Sequence, residues 1–265
     1  MENFINGYPA NEEAVREGLS EILGTDKYNL FFEHFYESYF TESDAKYIHS
    51  LELNLVRIPI NYRLFEDDMN PRVIKEDAFK YLDKVINLCA KYQIYTIIDL
   101  HALPGFQNQH WHSDNPTHKA FFWRHKDFQD RVVYLWEVIA DRYKDQPWVA
   151  GYDLINEPAD PDGEKVFQYY KRLRNAVLKI DPHHIFFLEG NTYATEFNIF
   201  TERDSLTVAI TPAIPVISIL ISIPLNNIFA KEAGLCWLTM CLSASENSAR
   251  STPAFRKKMR CGIRC

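Results

Sequence analysis

The sequence is short of positive charge, of cysteine and of glycine-rich turns, and each shortage removes a class of function. Its 29 Lys and Arg stand against 36 Asp and Glu, a formal net charge of −7, so no basic field draws in phosphates and no nucleic-acid partner is expected. Of the five cysteines only Cys89 lies in the body of the chain, while Cys236, Cys241, Cys261 and Cys265 crowd toward the C-terminus without His or Cys at zinc spacing. They read as free thiols rather than as a metal site or a disulfide framework. No glycine-rich phosphate turn follows any apolar run, which counts against a nucleotide-binding open sheet. Met1-Glu2-Asn3-Phe4 has no basic run ahead of an apolar stretch, so no secretory signal is visible. A cytoplasmic location is expected from that start, with secretion if the N-terminus is incomplete.

What is present is ordinary globular chemistry: 265 residues, 46% hydrophobic and 25% charged, enough for one large core. Helical and strand patterns alternate from about residue 10 to 190, which predicts an α/β chain. Residues 11–23 form an amphipathic pattern closed by Gly24, and an aromatic-rich helix is expected over 27–40. Thr41 with Asp44 three residues on makes a capping signal for a helix running to about Leu51. Strands are expected at 53–60, 94–100, 149–155 and 185–190, each apolar on both faces, as strands covered by helices should be. Between them Phe79, Leu82, Val85, Ile86 and Cys89 keep helical spacing. So do Val132, Leu135, Trp136, Ile139 and Tyr143, and again Phe167, Tyr170, Leu173, Val177 and Ile180. Strand, helix, strand, three times over, requires parallel strands joined by right-handed crossovers.

Polar groups recur where these strands end. Arg57 lies in the first, His101 just after the second, Asn156-Glu157 after the third and Glu189 at the fourth. Ionisable groups at one end of successive parallel strands describe the mouth of a (β/α) barrel. Three stretches, "NLVRIPINYR", "IDLHALPGFQNQ" and "WVAGYDLINEPADP", fall in that order on consecutive strands. Together they resemble glycoside hydrolase family 5, the barrel family of cellulases and related β-glucanases, over residues 1–200. The resemblance implies a partial (β/α)8 TIM barrel with about strands 2–5 recognisable, and cofactor-free, retaining hydrolysis of a β-linked glucan or glucoside.

Glu157 then corresponds to the catalytic acid/base. A retaining glycosidase needs one protonated carboxyl for the leaving oxygen and a second, ionised carboxylate about 5 Å away. Burial at a strand end should raise the pKa of the first. The resemblance further implies that Asn156 binds the sugar 2-hydroxyl, that Arg57 supports the nucleophile and that His101 shapes the sugar floor. Pro158 is expected to stop the strand, and Trp111 to offer its face to a pyranose ring. Each residue also has a plainer reading. Asn156-Glu157 fits a helix N-terminal cap, Arg57 the partner of a buried acid, and His101 a satisfied core histidine. His110 and His112 have the spacing of a metal-hydrolase pair, but later strand ends offer no further ligands, so no metal is expected. Trp123, Trp136 and Trp148 read as packing residues.

After about Phe200 the pattern changes. Pro212, Pro215 and Pro224 break an apolar run with no strand–helix rhythm, and the last residues are basic and cysteine-rich. Residues 201–265 are therefore expected to be an unrelated, poorly ordered tail from a truncated or mis-spliced reading frame. With three prolines, the apolar stretch 206–225 is not expected to span a membrane. The family's nucleophile, a glutamate ending the seventh strand, has no counterpart: Glu196, Glu202, Glu232 and Glu246 lack a strand-end setting, and Glu189 follows the fifth family strand. Little or no hydrolysis is expected from this chain, with a non-catalytic carbohydrate-binding remnant of the barrel as the rival reading. Half a barrel also leaves sheet edges unpaired, so an unstable or aggregation-prone chain is expected unless the tail covers them.

Overall fold

The computed structural model describes residues 11–200 and the backbone of Ala209–Ile210. Three helices come first: α1 (Glu12–Leu23), α2 (Thr25–Tyr39) and α3 (Glu42–Ser50). Gly24 separates α1 from α2 at φ 73, a left-handed angle that costs glycine little, and its N–H bonds the Ser20 carbonyl. Thr41 and Asp44 form the expected capping box, the Thr41 N–H donating to Asp44 Oδ2 at 2.7 Å.

A regular alternation follows: β1 (Leu55–Asn61), α4 (Lys80–Lys91), β2 (Tyr95–Ala102), α5 (Lys126–Tyr143), β3 (Val149–Asp153), α6 (Gly163–Val177), β4 (Ile185–Leu188) and β5 (Ala209–Ile210). The strands lie in chain order, every neighbouring pair parallel. Pro59, with no N–H to give, sits in β1, which among the described residues pairs on one side only. The helix stripes read from the sequence become the core. Leu82, Ile86 and Cys89 of α4, Leu135, Trp136 and Ile139 of α5, and Tyr170, Leu173 and Val177 of α6 join Val56, Ile98, Leu100 and Tyr152 in one buried cluster. Trp136 donates its indole N–H to the Leu154 carbonyl at 3.0 Å, and Trp123 is buried, so both are packing residues. Trp148 packs beside Tyr95 with ring centroids 5.0 Å apart.

Three local expectations change. Helix α6 stops at Val177, so Ile180 packs from the following turn. The third strand ends at Asp153 instead of residue 155, which leaves Asn156 and Glu157 beyond the ladder. A fifth strand, unforeseen in the proline-broken text after Phe200, pairs Ala209 with Phe187 and Ile210 with Leu188. Otherwise the expected tail, including most of the apolar stretch 206–225, lies outside the described residues. Among those described, no helix is long and apolar enough to cross a membrane.

Candidate active site

The sheet register sets Asp99 of β2 beside Asp153 of β3. Two carboxylates on adjacent strands of a dry sheet require a counter-charge. Arg57 of β1 supplies it. Its Nη1 lies 3.0 Å from Asp99 Oδ2 and its Nε donates to Asp153 Oδ2 at 2.9 Å. Its Nη2 donates to Glu189 Oε1 and to Asn156 Oδ1, both at 2.9 Å. The plainer reading of Arg57 therefore holds in stronger form, since it partners two buried acids and the partly buried Glu189. Burial works against its charge, but Asp99, Asp153 and Glu189 outweigh that and raise its pKa. His101 Nδ1 pairs with the same Asp99 Oδ2 at 2.8 Å, so its ring is fixed from below. Asp99 and Asp153 were not singled out in the sequence; the available signal was an acid inside an otherwise apolar strand.

Beyond β3 the chain keeps two sheet-like bonds: Leu154 N–H to the Phe187 carbonyl at 3.3 Å and Asn156 N–H to the Leu100 carbonyl at 3.4 Å. Glu157 then turns at φ 44, a left-handed angle unusual for a residue with a side chain. That turn, not Pro158, diverts the chain, because the ladder has already ended. The Glu157 N–H donates to Glu189 Oε2 at 2.6 Å. The cap reading of Asn156-Glu157 fails, since α6 begins at Gly163 with Asp162 as its cap.

Buried amides in the loop after β2 hold this bend. Gln107 Nε2 donates to the carbonyls of His101 at 2.7 Å and Asn156 at 3.0 Å, while its Oε1 accepts from the Leu103 N–H. Asn108 Nδ2 donates to the Glu157 carbonyl at 2.9 Å. Farther along, the buried Asp114 accepts from Asn11, Asn61, Arg63 and the Glu13 N–H, pinning the loop to α1 and the end of β1. None of these three loop residues was found from sequence, where a polar loop residue carries no mark of what it will anchor.

The Glu157 side chain remains 38% exposed, with Oε2 at 3.2 Å from His112 Nε2. Burial raises its pKa, against the pull of His101 and Arg57. Asp153 is pushed up to about 6 by burial, with Arg57 opposing and Asp99 adding to the rise. Glu189 lies well above the usual carboxylate range, from burial and from the neighbouring Asp153. Burial, with His101 and His110 beside it, lowers His112 to about 4. Asn156 is buried, and its Nδ2 has no hydrogen-bond partner among the described residues.

Trp111 is 38% exposed at the rim, its ring 5.7 Å from that of His112. Tyr193, in the turn after β4, lies 4.5 Å from the His110 ring and donates its hydroxyl to Gln109 Oε1 at 2.7 Å. Among the described residues no three His, Cys, Asp or Glu side chains are grouped to hold a metal ion. The structure thus brings Arg57, His101, Asn156 and Glu157 together at one end of the sheet, with Trp111 on the surrounding loop.

Parallel strands covered by helices, with their ionisable residues gathered at the C-terminal ends, define a sector of a (β/α) barrel. The sequence profile described as Cellulase (glycosyl hydrolase family 5) matches residues 15–219, and the chain belongs to that family. It is 52% identical over 204 residues to a β-xylosidase of Phanerodontia chrysosporium, covering 77% of this chain and 43% of that protein. To endoglucanase C of Acetivibrio thermocellus it is 28% identical over 167 residues, covering 63% of this chain and 47% of the relative. In fold it is similar to the crystal structure of a rutinosidase from Aspergillus niger, with a TM-score of 0.61 at 20% identity, covering 70% of this chain and 56% of that one. The chain spans less than half the length of these two curated relatives.

Proposed function

We propose that this chain carries the acid/base half of a retaining glycosidase site for β-linked glucosides or xylosides, with Glu157 as the acid/base. The observation that carries the reading is the Glu157 carboxyl itself. It stands half-buried just beyond β3, with a pKa raised by burial. A raised pKa keeps the proton in place at mildly acidic pH, and partial exposure lets it reach a leaving oxygen. As the glycosidic C–O bond breaks, Glu157 gives that oxygen its proton; the ionised carboxylate then takes a proton from the attacking water.

Asn156 fits the 2-hydroxyl contact, because its buried Nδ2 is a donor still in need of an acceptor. Arg57 fixes Asn156 and backs the nucleophile electrostatically, His101 floors the sugar site and Trp111 stacks on a pyranose face. Glu189 is not assigned as nucleophile, since its two oxygens already hold Arg57 and the Glu157 N–H. The nucleophile comes from outside residues 11–200, and no cofactor takes part. Family membership and the relatives named β-xylosidase and endoglucanase support the substrate class.

The test is turnover of phenyl β-glucoside and phenyl β-xyloside by the 265-residue chain, with and without azide. Where a nucleophile is missing, azide attacks the anomeric carbon, the phenolate leaves with the proton of Glu157, and an α-glycosyl azide forms. Azide-dependent turnover that falls about a hundredfold or more in Glu157→Gln is the expected result. Azide-independent release of free sugar that needs Glu157 keeps its role and places the nucleophile within this chain. Calorimetric binding of oligosaccharides with no turnover under either condition would leave a non-catalytic binding remnant and overturn the proposal.

A further inference from the structure

Neither the three sequence motifs nor the proposed mechanism uses His112, yet its ring meets the Glu157 carboxyl. We propose that His112 is a positioning residue whose Nε2–H holds Oε2 of Glu157, so that the transferable proton is carried on Oε1. The inference rests on the reading of Glu157 as acid/base.

Nε2 stands 3.2 Å from Oε2, close enough for a hydrogen bond once the ring aims its N–H at that oxygen. Among the described residues the His112 contact falls on Oε2 and no ion pair falls on Oε1, so the two oxygens of this carboxyl are unequally placed. One side chain sets the separation of the pair. Asn108 donates through Nδ2 to the Glu157 carbonyl at 2.9 Å and accepts the His110 N–H on Oδ1 at 2.9 Å, tying the acid and the His112 turn to a single buried amide. The turn itself, Trp111–Ser113, is closed by the Ser113 hydroxyl on the His110 carbonyl at 2.8 Å and by the Asp114 N–H on the Trp111 carbonyl at 2.9 Å. Rings of His101 and His110 stand 5.8 and 5.6 Å from His112, edge-on, and restrict its rotation.

The chemistry requires a neutral donor there. An ionised carboxylate offers two acceptors, and a carboxyl protonated on Oε1 still offers Oε2, so one N–H serves both steps of the reaction. An imidazolium in the same place would hold Glu157 ionised and disable the acid step. Burial and the two flanking histidines lower the His112 pKa to about 4, which keeps the ring neutral at mildly acidic pH. The other charged or titratable groups around Glu157 are His110 on the same loop, Arg57 from β1, Asp99 and His101 from β2, and Glu189 after β4.

The contact is tested by carbon-13 NMR titration of the full chain labelled at glutamate Cδ, the Glu157 signal being the one missing in Glu157→Gln. His112→Phe, which keeps a ring and loses the N–H, should raise the Glu157 midpoint, and His112→Ala should do the same. His112→Gln, with an amide N–H, should return it toward the parent value. In the azide assay the alkaline limb should move in the same direction, whereas a merely structural histidine would lower the rate at every pH alike. A midpoint unchanged or lowered in both His112→Phe and His112→Ala overturns the inference. If the midpoint rises while Glu157→Gln leaves turnover intact, the contact stands and the proposed function fails.

Discussion

Glu189 accepts the backbone N–H of Glu157 at 2.6 Å through one carboxylate oxygen and the Arg57 guanidinium at 2.9 Å through the other. A single side chain thus joins the buried ion cluster of the sheet to the bend that presents the proposed acid. Cluster stability and site geometry should therefore fail together.

Replacing Arg57 by Met would leave the buried Asp99 and Asp153, and the partly buried Glu189, without their shared cation. A loss of about 3–5 kcal/mol in unfolding free energy is expected at pH 7 by urea titration. The loss should shrink at pH 5, where the acids can take up protons. A cost under about 1 kcal/mol would show that the cluster stands without the guanidinium.

Stability should also fall with rising pH because of Asp153. Its folded-state pKa, pushed up to about 6, lies above that of an unfolded aspartate, so between those values the folded chain binds more protons. This contribution is full below the ordinary aspartate range and is lost as pH climbs through 6. The raised pKa of Glu189 acts with the same sign. Asp153→Asn should flatten the decline when denaturation midpoints are compared from pH 4 to 7. Parallel slopes in the two proteins would contradict the assignment.

Gly105 carries φ 76, and a Cβ there would run into the ring of Phe128. Gly105→Ala should destabilise by more than about 1 kcal/mol, since both the angle and the space exclude a side chain. Because Gln107 and Asn108 follow in the same loop, the Glu157 signal in the labelled protein should shift as well. A silent substitution in both readouts would mean that the loop relaxes freely.

Trp111 is exposed enough that Trp111→Ala should leave stability within about 0.5 kcal/mol. Affinity for gluco- or xylo-oligosaccharides should nonetheless drop about tenfold in calorimetry, as expected for loss of a stacking face. Equal affinities would remove Trp111 from the sugar site.

Much of this architecture could be read from residue order, because its causes are local. The spacing of Leu82, Ile86 and Cys89, the capping pair Thr41 and Asp44, and the two-sided apolar runs each declare an element within a few residues. Parallel strands then carry Arg57, His101, Asn156 and Glu157 to one end without further information. The partners of Arg57 were hidden, because Asp153 lies 96 residues away and Glu189 lies 132 away, and only sheet register makes them neighbours. His112 showed a metal-like spacing in the text, yet the loop path turns it onto Glu157 instead. The left-handed bend at Glu157 was likewise unreadable, since its strain is met by bonds from Gln107, Asn108 and Glu189, which the chain order scatters on both sides. Periodicity and strand direction thus determined which residues share an end of the sheet, while burial and register, which depend on contacts far apart in the chain, decided how those residues pair and which of them stays free to act.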